Sequence, residues 1–488
     1  DATTPTDDLS DDTSDTIAAI ATPPGAGGVG IVRISGPRAF AIGRALFRPA
    51  RGACDGAAVP PTRVLTYGHV VDAATGEPVD EVLVAFMRAP HTYTREDVVE
   101  VDAHGGPLLL RRILALALAA GARAARPGEM TLRAFLNGRL DLAQAEAVMA
   151  LIQAESAAGL RLALRQLSGD LSARVQAARA PALEALVRIE AALDFPEDEV
   201  PQPDRAALAA LTGQAQAGVA ALLAGAERGL LLRQGARVAI LGRPNVGKSS
   251  LLNALVGHDR AIVTPVAGTT RDTIEETATL GGVALHLVDT AGLVESDDPV
   301  ERIGVERTRA AAATADVALF VLDGSQPLAP ADHAAAADLR ARGFGAPADG
   351  TAVDGAVRPL LLVLNKDDLP PALSEAQARA LWPAAPLVRT STRRPEGVRP
   401  LQDALAALLG GGDAASEDPL VASVRHRDAL RRAAEALATA ADALAAGIPL
   451  DLVALDLRGA LEALGEITGE TATADLLDRI FAEFCIGK

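Results

Sequence analysis

The chain has 488 residues, which allows two to four domains of about 100–200 residues each. The chain has 46 Lys and Arg against 63 Asp and Glu, which gives a formal net charge of −17. This charge excludes nucleic-acid binding through a broad basic face, so any RNA contact must rest on a local patch or a partner. Aromatic residues make up 2% and there are two cysteines, which excludes a base-stacking single-strand binder, a disulfide scaffold and a cysteine-rich metal site.

The same composition indicates a compartment. Two cysteines at opposite ends of the chain suit a reducing environment. No apolar run reaches about 18 residues, and the start has no basic-then-apolar signal segment. We therefore predict a cytoplasmic protein without a membrane-spanning helix.

Composition along the chain predicts five segments. Residues 1–14 are acidic, lack large apolar side chains and are predicted to form a disordered leader. Residues 15–127 combine short apolar runs with Gly and Pro punctuation and end in one helix, which predicts a compact α/β domain. Residues 128–231 and 412–488 carry apolar residues at spacings of three and four, typical of helices. Between them, residues 232–411 alternate strands and helices, which predicts a mainly parallel sheet in an α/β domain inserted into an all-α one.

Two stretches rich in Gly, Pro or Ala are interpreted as loops. Residues 325–358 are predicted to form a long surface loop or insertion. Residues 25–30 match G-x-G-x-x-G, but the following IVRISG has the pattern of a strand and not of the helix that a dinucleotide site needs. We interpret them as a tight glycine turn.

A phosphate-binding loop is predicted at residues 242–249. The sequence GRPNVGKS fits G-x-x-x-x-G-K-[ST], follows the strand ARVAIL and precedes the helix SSLLNALV. Backbone N–H groups of the loop and of the helix N-terminus receive the phosphates, Lys248 reaches the β- and γ-phosphates, and Ser249 ligates Mg²⁺. The predicted nucleotide contacts here are Asn245, Val246, Gly247, Lys248, Ser249 and Ser250.

Three further motifs indicate that the nucleotide is GTP. Asp289, in DTAG, ends a strand and is placed to hold the metal through water, with Gly292 beside the γ-phosphate. Asp368, in NKDD, has a carboxylate that can accept from both N1–H and the exocyclic amine of guanine, an arrangement that adenine does not offer. A third motif, STR, follows at the spacing of the loop that backs the base. The predicted contacts are Asp289, Thr290, Ala291, Gly292, Asn365, Lys366, Asp367, Asp368, Ser391, Thr392 and Arg393.

The hydrolytic machinery departs from that of a typical small GTPase. Leu293 follows DTAG, where many GTPases have a water-positioning glutamine, and leucine cannot orient water. Glu301, in PVERIGVERTRA, is a candidate for that role; the alternative is a solvated charge on a helix face. Asn245 has an amide oxygen that can bind a monovalent cation, whose charge would replace that of an arginine finger.

The segment TPVAGTTRD supplies the switch threonine. We assign Thr270 to Mg²⁺, and together with Lys248 and Glu301 it completes the predicted catalytic set. The predicted nucleotide contacts in this segment are Thr264, Pro265, Val266, Ala267, Gly268, Thr269 and Thr270.

The sequences that flank the GTPase motifs are more specific. The chain contains DTIAAIATPPGAGGVGIVRISG, YTREDVVEVDAHGGP, RPGEMTLRAFLNGRLDLAQAEAV and a terminal FCIGK. Together with the GTPase motifs, these resemble the MnmE (TrmE) family of tRNA modification GTPases from Asp15 to Lys488. The resemblance implies an N-terminal folate-binding domain that dimerises, a helical domain, and a GTPase domain inserted into the helical one.

The resemblance also implies a reaction and partners. Family members form a homodimer that joins MnmG, an FAD protein, in a heterotetramer. The complex installs an aminomethyl or carboxymethylaminomethyl group at carbon 5 of the wobble uridine of certain tRNAs. The one-carbon unit comes from 5-formyltetrahydrofolate or a related tetrahydrofolate derivative, and GTP hydrolysis is stimulated by K⁺.

Position by position, the resemblance assigns roles to individual residues. It places the water-orienting glutamate on Glu301. It places the metal contacts on Ser249 and Thr270 for Mg²⁺, and on Asn245 and the backbone of Thr264, Val266 and Thr269 for K⁺. It places the folate contacts on Arg33, Glu100, Arg139 and Lys488, of which the three cations suit an anionic folate tail. Arg139 departs from the family's usual lysine, and arginine keeps the charge but not the geometry.

Two other functions share parts of this sequence. A ribosome-assembly or other regulatory GTPase would have much the same GTPase core, but we expect such a protein to carry a basic RNA-binding module, and the flanks here are acidic. A folate-dependent aminomethyl transferase with a nucleotide-sensing domain would share the folate site but not the tRNA substrate. The flanking sequences favour the tRNA modification function.

Overall fold

The computed structural model describes residues 15–50, 61–194, 203–258, 275–289, 313–345, 358–409 and 419–487. Its strands are β1 (Ile17–Ile20), β2 (Gly27–Ser35), β3 (Phe47–Pro49), β4 (Leu65–Val71), β5 (Pro78–Met87), β6 (Val98–Gly105), β7 (Arg123–Ala124), β8 (Ala236–Leu241), β9 (Glu275–Leu280), β10 (Val283–Asp289), β11 (Val317–Asp323), β12 (Leu360–Asn365) and β13 (Leu387–Arg389). Its helices are α1 (Ala39–Leu46), α2 (Pro107–Ala119), α3 (Glu129–Leu136), α4 (Leu142–Ile152), α5 (Ala157–Leu167), α6 (Asp170–Asp194), α7 (Arg205–Ala224), α8 (Ala226–Gln234), α9 (Lys248–His258), α10 (Pro330–Ala341), α11 (Glu375–Arg379), α12 (Arg399–Leu408), α13 (Val424–Ala445), α14 (Leu450–Thr468) and α15 (Ala474–Ala482).

The chain divides into two compact units. The first comprises Asp1–Met149, Gln166–Gln216 and Arg432–Lys488, and the second comprises Ala150–Arg165 and Ala217–Arg431. Each unit contains one sheet, and long helices make up most of the remainder. The predicted combination of α/β and all-α parts is confirmed.

The sheet of the first unit has seven strands in the order β3-β4-β5-β6-β2-β1-β7. All neighbours are antiparallel except β1 and β7, which are parallel. Side chains alternate along β6, so that Val99 and Val101 pack into the core against α1 and α2 while Glu100 lies on the opposite face. Glu100 lies directly opposite Arg33 of β2 in the register. Gly27–Gly30 lie in β2, whose pairing with β6 is irregular between Gly27 and Gly30, so the tight glycine turn predicted over residues 25–30 is wrong at these four positions. The segment that follows them is a strand, as predicted, and not a dinucleotide-binding helix.

A buried ion cluster, the Arg133 cluster, joins the ends of this sheet to α3. It consists of Asp15, Glu96, Arg123, Glu129 and Arg133. The guanidinium of Arg133 is fully buried and donates to Glu96 Oε1 at 3.1 Å, to Glu129 Oε1 at 3.2 Å and to Asp15. Arg123 binds Glu129 Oε1 and Asp15 Oδ2, both at 2.6 Å. Every carboxylate and every guanidinium group of the cluster has a partner of opposite charge, as buried ions require.

The pKa values of Glu96 and Glu129 in this cluster are shifted in opposite directions. Burial raises the pKa of Glu96, and its bonds to Ser35 and Arg133 only partly offset that effect. Burial opposes ionisation of Glu129 as well, but hydrogen bonds from Arg123 and the Arg126 N–H, with the charges of Arg123 and Arg133, hold the pKa of Glu129 below its usual range. Glu129 is therefore ionised at neutral pH.

Two long helices of the first unit pack against each other in opposite directions. Arg458 of α14 donates to Glu190 of α6 at 2.7 Å, and Arg179 of α6 binds Glu470 just beyond α14 at 2.9 Å. Between them, Ala182, Ala185 and Ile189 of α6 and Leu457, Leu461 and Leu464 of α14 are buried. This spacing of three and four matches the predicted helical periodicity.

The sheet of the second unit has six strands in the order β13-β12-β11-β8-β10-β9. All pairs are parallel except the β9–β10 hairpin, as the alternation of strands and helices predicts. The central strands β8, β11 and β12 are apolar runs buried on both faces. The chain crosses to opposite sides of β8 to form β10 and β11, and the carboxyl ends of β8, β11 and β12 therefore border the crevice where such sheets bind ligands.

One predicted loop contains a helix. Within residues 325–358, Pro330–Ala341 forms α10, and residues 346–357 lie outside the described part. Pro330 occupies the first turn, where its missing N–H costs nothing, and the Asp332 carboxylate accepts from the Ala329 N–H at 2.9 Å. Ala335, Ala336 and Leu339 bury one face. The sequence analysis took proline and alanine as signs of a loop, but here proline begins the helix.

One described helical stretch tests the expectation that no helix could span a membrane. Arg205–Gln234 passes by length and composition, because a window of 18 residues within it has a mean hydropathy of 1.4, and core helices of water-soluble proteins meet the same criterion. The sequence analysis overlooked this stretch because Thr212, Gln214 and Gln216 interrupt its apolar run.

Candidate functional site

The predicted phosphate loop connects β8 to α9. Asn245 and Gly247 have positive φ angles of 64° and 102°, so the chain turns sharply at both positions. A Cβ atom on Gly247 would lie 2.2 Å from Asn365 Nδ2, and one on Gly242 would lie 2.4 Å from the Val321 carbonyl oxygen. Glycine is therefore required at both positions, because a Cβ atom would collide with a neighbouring atom and because the backbone has a positive φ.

Lys248 lies beneath this loop. Its side chain is buried, and Nζ donates to the carbonyl oxygens of Gly242 and Arg243, each at 3.0 Å. Ser249 and Ser250 follow on the exposed first turn of α9. The ammonium group and the helix N-terminus therefore border the same concave backbone, an arrangement that attracts anions.

The strand end that carries Asn365 and Lys366 supports the phosphate loop from behind. Asn365 Nδ2 donates to the Val246 carbonyl at 2.8 Å, and Lys366 Nζ donates to the Asn245 carbonyl at 2.8 Å. Lys366 also binds Asp323 Oδ2 at 2.7 Å. Asp323 was missed in the sequence analysis, although its place at the end of a buried strand, in VLDGS, was a usable signal.

Asp368 presents its carboxylate beside the loop of Ser391, Thr392 and Arg393. Ser391 Oγ donates to Asp368 Oδ1 at 2.7 Å and accepts from the Arg393 N–H at 3.2 Å. The Ser391 hydrogen bond and the neighbouring arginine charges lower the pKa of Asp368, which is therefore an ionised acceptor at neutral pH. The structure brings the predicted base-reading residues together.

Asp367 has different partners. Arg389 binds its Oδ1 at 3.0 Å and Arg394 binds its Oδ2 at 3.1 Å. Both carboxylate oxygens are thereby engaged, so any nucleotide contact of Asp367 falls to its backbone.

Several predicted residues lie outside the described residues. They are the switch residues Thr264, Pro265, Val266, Ala267, Gly268, Thr269 and Thr270, the DTAG residues Thr290, Ala291 and Gly292, and Glu301 and Lys488. The backbone of Asp289 ends β10 and pairs with Ile240 of β8, next to the phosphate loop. The roles of the residues outside the described part stay predictions.

Replacing Gly247 by alanine is expected to weaken nucleotide binding by about tenfold or more, because the added Cβ meets Asn365 and the positive φ strains the loop by about 1–3 kcal/mol. Binding of a fluorescent guanine nucleotide measures the effect. Gly257→Ala is the matched control, since a Cβ there meets nothing within 4 Å. Equal affinities of the two variants would contradict this account of the loop.

A second polar cluster lies in the first unit. Arg33 Nε donates to Glu100 Oε1 at 2.6 Å, and Arg33 Nη1 lies 3.4 Å from the carbonyl oxygen of Gly487. Gly487 has a φ of 92°, and a Cβ there would lie 2.4 Å from the Ile20 carbonyl. The chain therefore packs Gly487, its last described residue, against β1 and next to this cluster.

Arg139 joins the same cluster through Tyr93. The Arg139 guanidinium carbon lies 4.6 Å from the Tyr93 ring centre, and Nη1 donates to the Tyr93 carbonyl at 2.9 Å. The Arg33 guanidinium carbon lies 5.7 Å from the same ring centre. The structure thus brings Arg33, Glu100 and Arg139 together, and it adds Tyr93, which the sequence analysis did not single out although it opens the quoted YTREDVVE motif.

The sheet face that carries Arg33 and Glu100 continues into an apolar patch. Leu65, Tyr67 and Leu83 are 55%, 48% and 40% exposed and lie in adjacent register on β4 and β5. Next to Leu83, Asp102 Oδ1 is buried without a hydrogen-bond partner among the described residues, and burial together with Glu100 raises the pKa of Asp102. An exposed apolar patch of this kind on a sheet marks an interaction surface.

Comparison with known proteins places the chain in a family. A model of the MnmE helical domain matches residues 142–485, and a model of the GTP-binding protein TrmE N-terminus matches residues 16–139. The tRNA modification GTPase MnmE of Chloroflexus aurantiacus is 51% identical over 97% of this chain and its own full length, and that of a Roseiflexus species is 48% identical over 97% of this chain and 99% of its own. Among solved structures, a GTP-binding protein of Sulfolobus solfataricus in complex with GDP aligns over 59% of this chain and 78% of its own, with 16% identity and a TM-score of 0.27. The relatives cover the chain from the α/β domain to the C-terminal helices, and the chain belongs to the MnmE family of tRNA modification GTPases.

Proposed function

We propose that this protein is a K⁺-stimulated GTP hydrolase that, with an FAD-containing MnmG-type partner, modifies carbon 5 of the wobble uridine in certain tRNAs. The added group is aminomethyl or carboxymethylaminomethyl, and its one-carbon unit comes from a tetrahydrofolate derivative such as 5-formyltetrahydrofolate. The observation that carries the proposal is the cluster of Arg33, Glu100 and Arg139 beside the C-terminus. The main alternative, a ribosome-assembly GTPase, does not predict such a cluster.

The nucleotide site fits GTP with Mg²⁺. The ionised Asp368 is held through one oxygen by Ser391 and can accept the N1–H and amine of guanine. Glycine at position 247 lets the loop pack closely against Asn365, and the Lys248 ammonium lies beneath the loop, bound to the Gly242 carbonyl oxygen. We assign Mg²⁺ to Ser249 and Thr270, with Asp289 acting through water; the metal would supply positive charge that offsets the charge of the phosphates.

The chain's own residues would carry out hydrolysis by positioning and charge. Lys248 stabilises negative charge at the β/γ bridge, and Glu301 orients the attacking water in place of the glutamine that Leu293 replaces. Asn245, with backbone oxygens of Thr264, Val266 and Thr269, would hold K⁺, which supplies the positive charge of an arginine finger. The Asn245 side chain is exposed and makes no hydrogen bond to any described residue, so its amide oxygen is available.

Replacing Glu301 by alanine is expected to lower kcat by at least about tenfold and to change GTP affinity by less than about twofold, because water orientation acts on hydrolysis and not on binding. Single-turnover hydrolysis and nucleotide binding are measured on the same preparation. Similar losses in both measurements would show that Glu301 has a structural role.

Exchange of K⁺ for Na⁺ is expected to slow hydrolysis by about tenfold, and Asn245→Ala should abolish the difference between the two cations. The rates are compared at constant ionic strength. Equal rates of the unchanged protein in K⁺ and Na⁺ would exclude a cation site at Asn245.

The folate cluster suits a pterin with an anionic tail. Glu100 is a carboxylate that can accept from pterin N–H groups, and Arg139 is an exposed cation with no carboxylate partner among the described residues. Lys488 directly follows Gly487 and would add a third cation. When bound, the folate supplies the one-carbon unit.

The apolar patch of Leu65, Tyr67 and Leu83 supports a homodimer. A second copy of the chain would cover the exposed apolar side chains of this patch. We assign dimerisation to this sheet face and place two such chains with the FAD partner in a heterotetramer that acts on tRNA in the cytoplasm.

Reconstitution with purified components tests the function. The protein, an MnmG-type partner, tRNA, GTP and 5-formyltetrahydrofolate are expected to yield carbon-5-modified wobble uridine, and omission of GTP or folate should stop it. Modification that proceeds at full rate without folate would refute the folate assignment. Absence of modification in the complete mixture would favour a regulatory GTPase.

A further inference from the structure

Tyr93 is placed to organise the cations of the folate cluster. Its ring is contacted by the guanidinium groups of Arg33 and Arg139, and its backbone carbonyl accepts from Arg139. An aromatic ring attracts cations through its face, by about 0.5–2 kcal/mol depending on exposure. The attraction of each guanidinium group to the ring therefore offsets part of the repulsion between the two groups.

The ring itself is held in place. The Tyr93 hydroxyl lies 2.9 Å from Thr131 Oγ1, a fully buried side chain on α3. The body of the ring packs against Ile17, Ala19, Ala125 and Met130. Neighbouring Thr94 is also buried and bonds Ser35 Oγ at 2.6 Å. Because the ring is immobilised, it can fix the orientation of whatever stacks on it.

Arg139 differs from Arg33 in its partners. Arg33 is bound to Glu100, whereas Arg139 has no carboxylate partner among the residues that the structure describes. Its backbone N–H donates to the Ala134 carbonyl at 2.8 Å, so the side chain starts from a fixed point. A planar guanidinium can stack on the ring, donate to the Tyr93 carbonyl and still present N–H groups to a ligand, which the compact ammonium of lysine cannot do.

We propose that Tyr93 is a positioning residue of the folate site, that it orients Arg139 toward an anionic carboxylate of the ligand, and that it makes arginine the better residue at position 139. The inference rests on the proposed folate site and extends it to a residue outside the set predicted there. Tyr93 acts through Arg139 and not by itself on the one-carbon unit.

A double-mutant cycle on the full chain tests this coupling. Binding of 5-formyltetrahydrofolate is measured by calorimetry for the unchanged protein, Tyr93→Leu, Arg139→Lys and the double variant. We expect Tyr93→Leu to weaken binding by about tenfold and Arg139→Lys by about fivefold. The double variant should lose about tenfold, not the fiftyfold of independent effects, because Arg139 has no advantage over lysine without the ring.

Further variants separate positioning from structural damage. Tyr93→Phe retains the ring and is expected to bind within about threefold of the unchanged protein. Arg95→Lys is the matched control, since Arg95 lies in the same loop as Tyr93 and, within the described part of the chain, donates only to the Asn137 carbonyl. It should change folate binding little and should be additive with Tyr93→Leu. The GTPase rate of Arg95→Lys should equal that of the unchanged protein.

The outcomes are distinguishable. Additive losses from Tyr93→Leu and Arg139→Lys, with folate binding of the unchanged protein intact, would overturn the role of Tyr93 and leave the folate site standing. A loss in Tyr93→Phe as large as in Tyr93→Leu would also overturn it. No binding to the unchanged protein would refute the folate site and the inference with it.

Discussion

Replacing Asp368 by asparagine is expected to reverse the nucleotide preference from GTP to XTP. The Asp368 carboxylate can accept two hydrogen bonds from guanine, at N1–H and the 2-amine, whereas asparagine offers one acceptor and one donor. Xanthine has N1–H and a carbonyl at position 2, which match asparagine. A site built around such hydrogen bonds discriminates by about 10⁴, so the ratio of GTP to XTP affinity should fall by about that factor.

Competition of GTP, XTP and ATP against a fluorescent nucleotide measures this reversal. Asp367→Asn is the comparison variant, because both oxygens of Asp367 are already bound by Arg389 and Arg394, and we expect it to weaken GTP binding by less than about threefold. Unchanged GTP preference in Asp368→Asn, or equal losses in both variants, would contradict the assignment of base recognition to Asp368.

The second large effect concerns stability. Glu129→Gln is expected to destabilise the first unit by about 2–3 kcal/mol, since it weakens the hydrogen bonds that the buried Arg133 and the partly exposed Arg123 donate to the buried Glu129 carboxylate. The control is Glu184→Gln on α6. Glu184 and Arg188 have the same spacing of four residues, but their side chains are 52% and 47% exposed against 2% and 1% for Glu129 and Arg133. It should cost less than about 1 kcal/mol.

The aromatic residues allow each unit to be followed separately. Both tyrosines of the chain, Tyr67 and Tyr93, lie in the first unit, and the single tryptophan, Trp382, lies in the second. In Glu129→Gln, the unfolding transition followed by tyrosine absorbance should therefore show the loss of stability of the first unit. The transition followed by Trp382 fluorescence should not move. A shift of both signals, or a loss as small as that of Glu184→Gln, would contradict a specific role of the Arg133 cluster.

The effect of Glu129→Gln should also depend on pH. Because the pKa of Glu129 is lowered in the folded state, its contribution is fully present above the unfolded-state value of about 4.3 and is lost as the pH falls through the lowered folded-state value. The stability difference between the unchanged protein and Glu129→Gln should therefore shrink below pH about 4. A constant difference down to the acid transition would mean that Glu129 is not ionised in the fold.

Short-range patterns in the sequence were enough to predict which strand ends meet beside the phosphate loop. The phosphate loop, Asn365 and Asp368 each follow a buried strand, and parallel strands bring their carboxyl ends together, so the contacts of Asn365 with Val246 and of Ser391 with Asp368 follow from motif order. The predicted helix after residue 106 and the strands before it are also confirmed, because alternation and glycine punctuation are local signals.

The parts that escaped prediction depend on distant residues or on context. The Arg133 cluster joins Asp15, Glu96 and Glu129, and no local pattern marks charges that become buried partners. Tyr93 gains its role only when β2 and the end of α3 bring Arg33 and Arg139 to it. The helix α10 was taken for a loop because proline in its first turn has the opposite meaning from proline in its interior.

The account's central claim is that one chain joins a GTP site to a folate site in tRNA modification. The most direct test is a nucleoside mass-spectrometry profile of tRNA from cells that lack this protein, complemented with the unchanged chain, with a Lys488 deletion or with Lys488→Arg as the charge-retaining control. We expect loss of carbon-5-modified wobble uridine without the protein, full restoration by the unchanged chain, at least partial restoration by Lys488→Arg, and none by the deletion. An unchanged nucleoside profile in cells that lack the protein would contradict the claim and favour a regulatory GTPase.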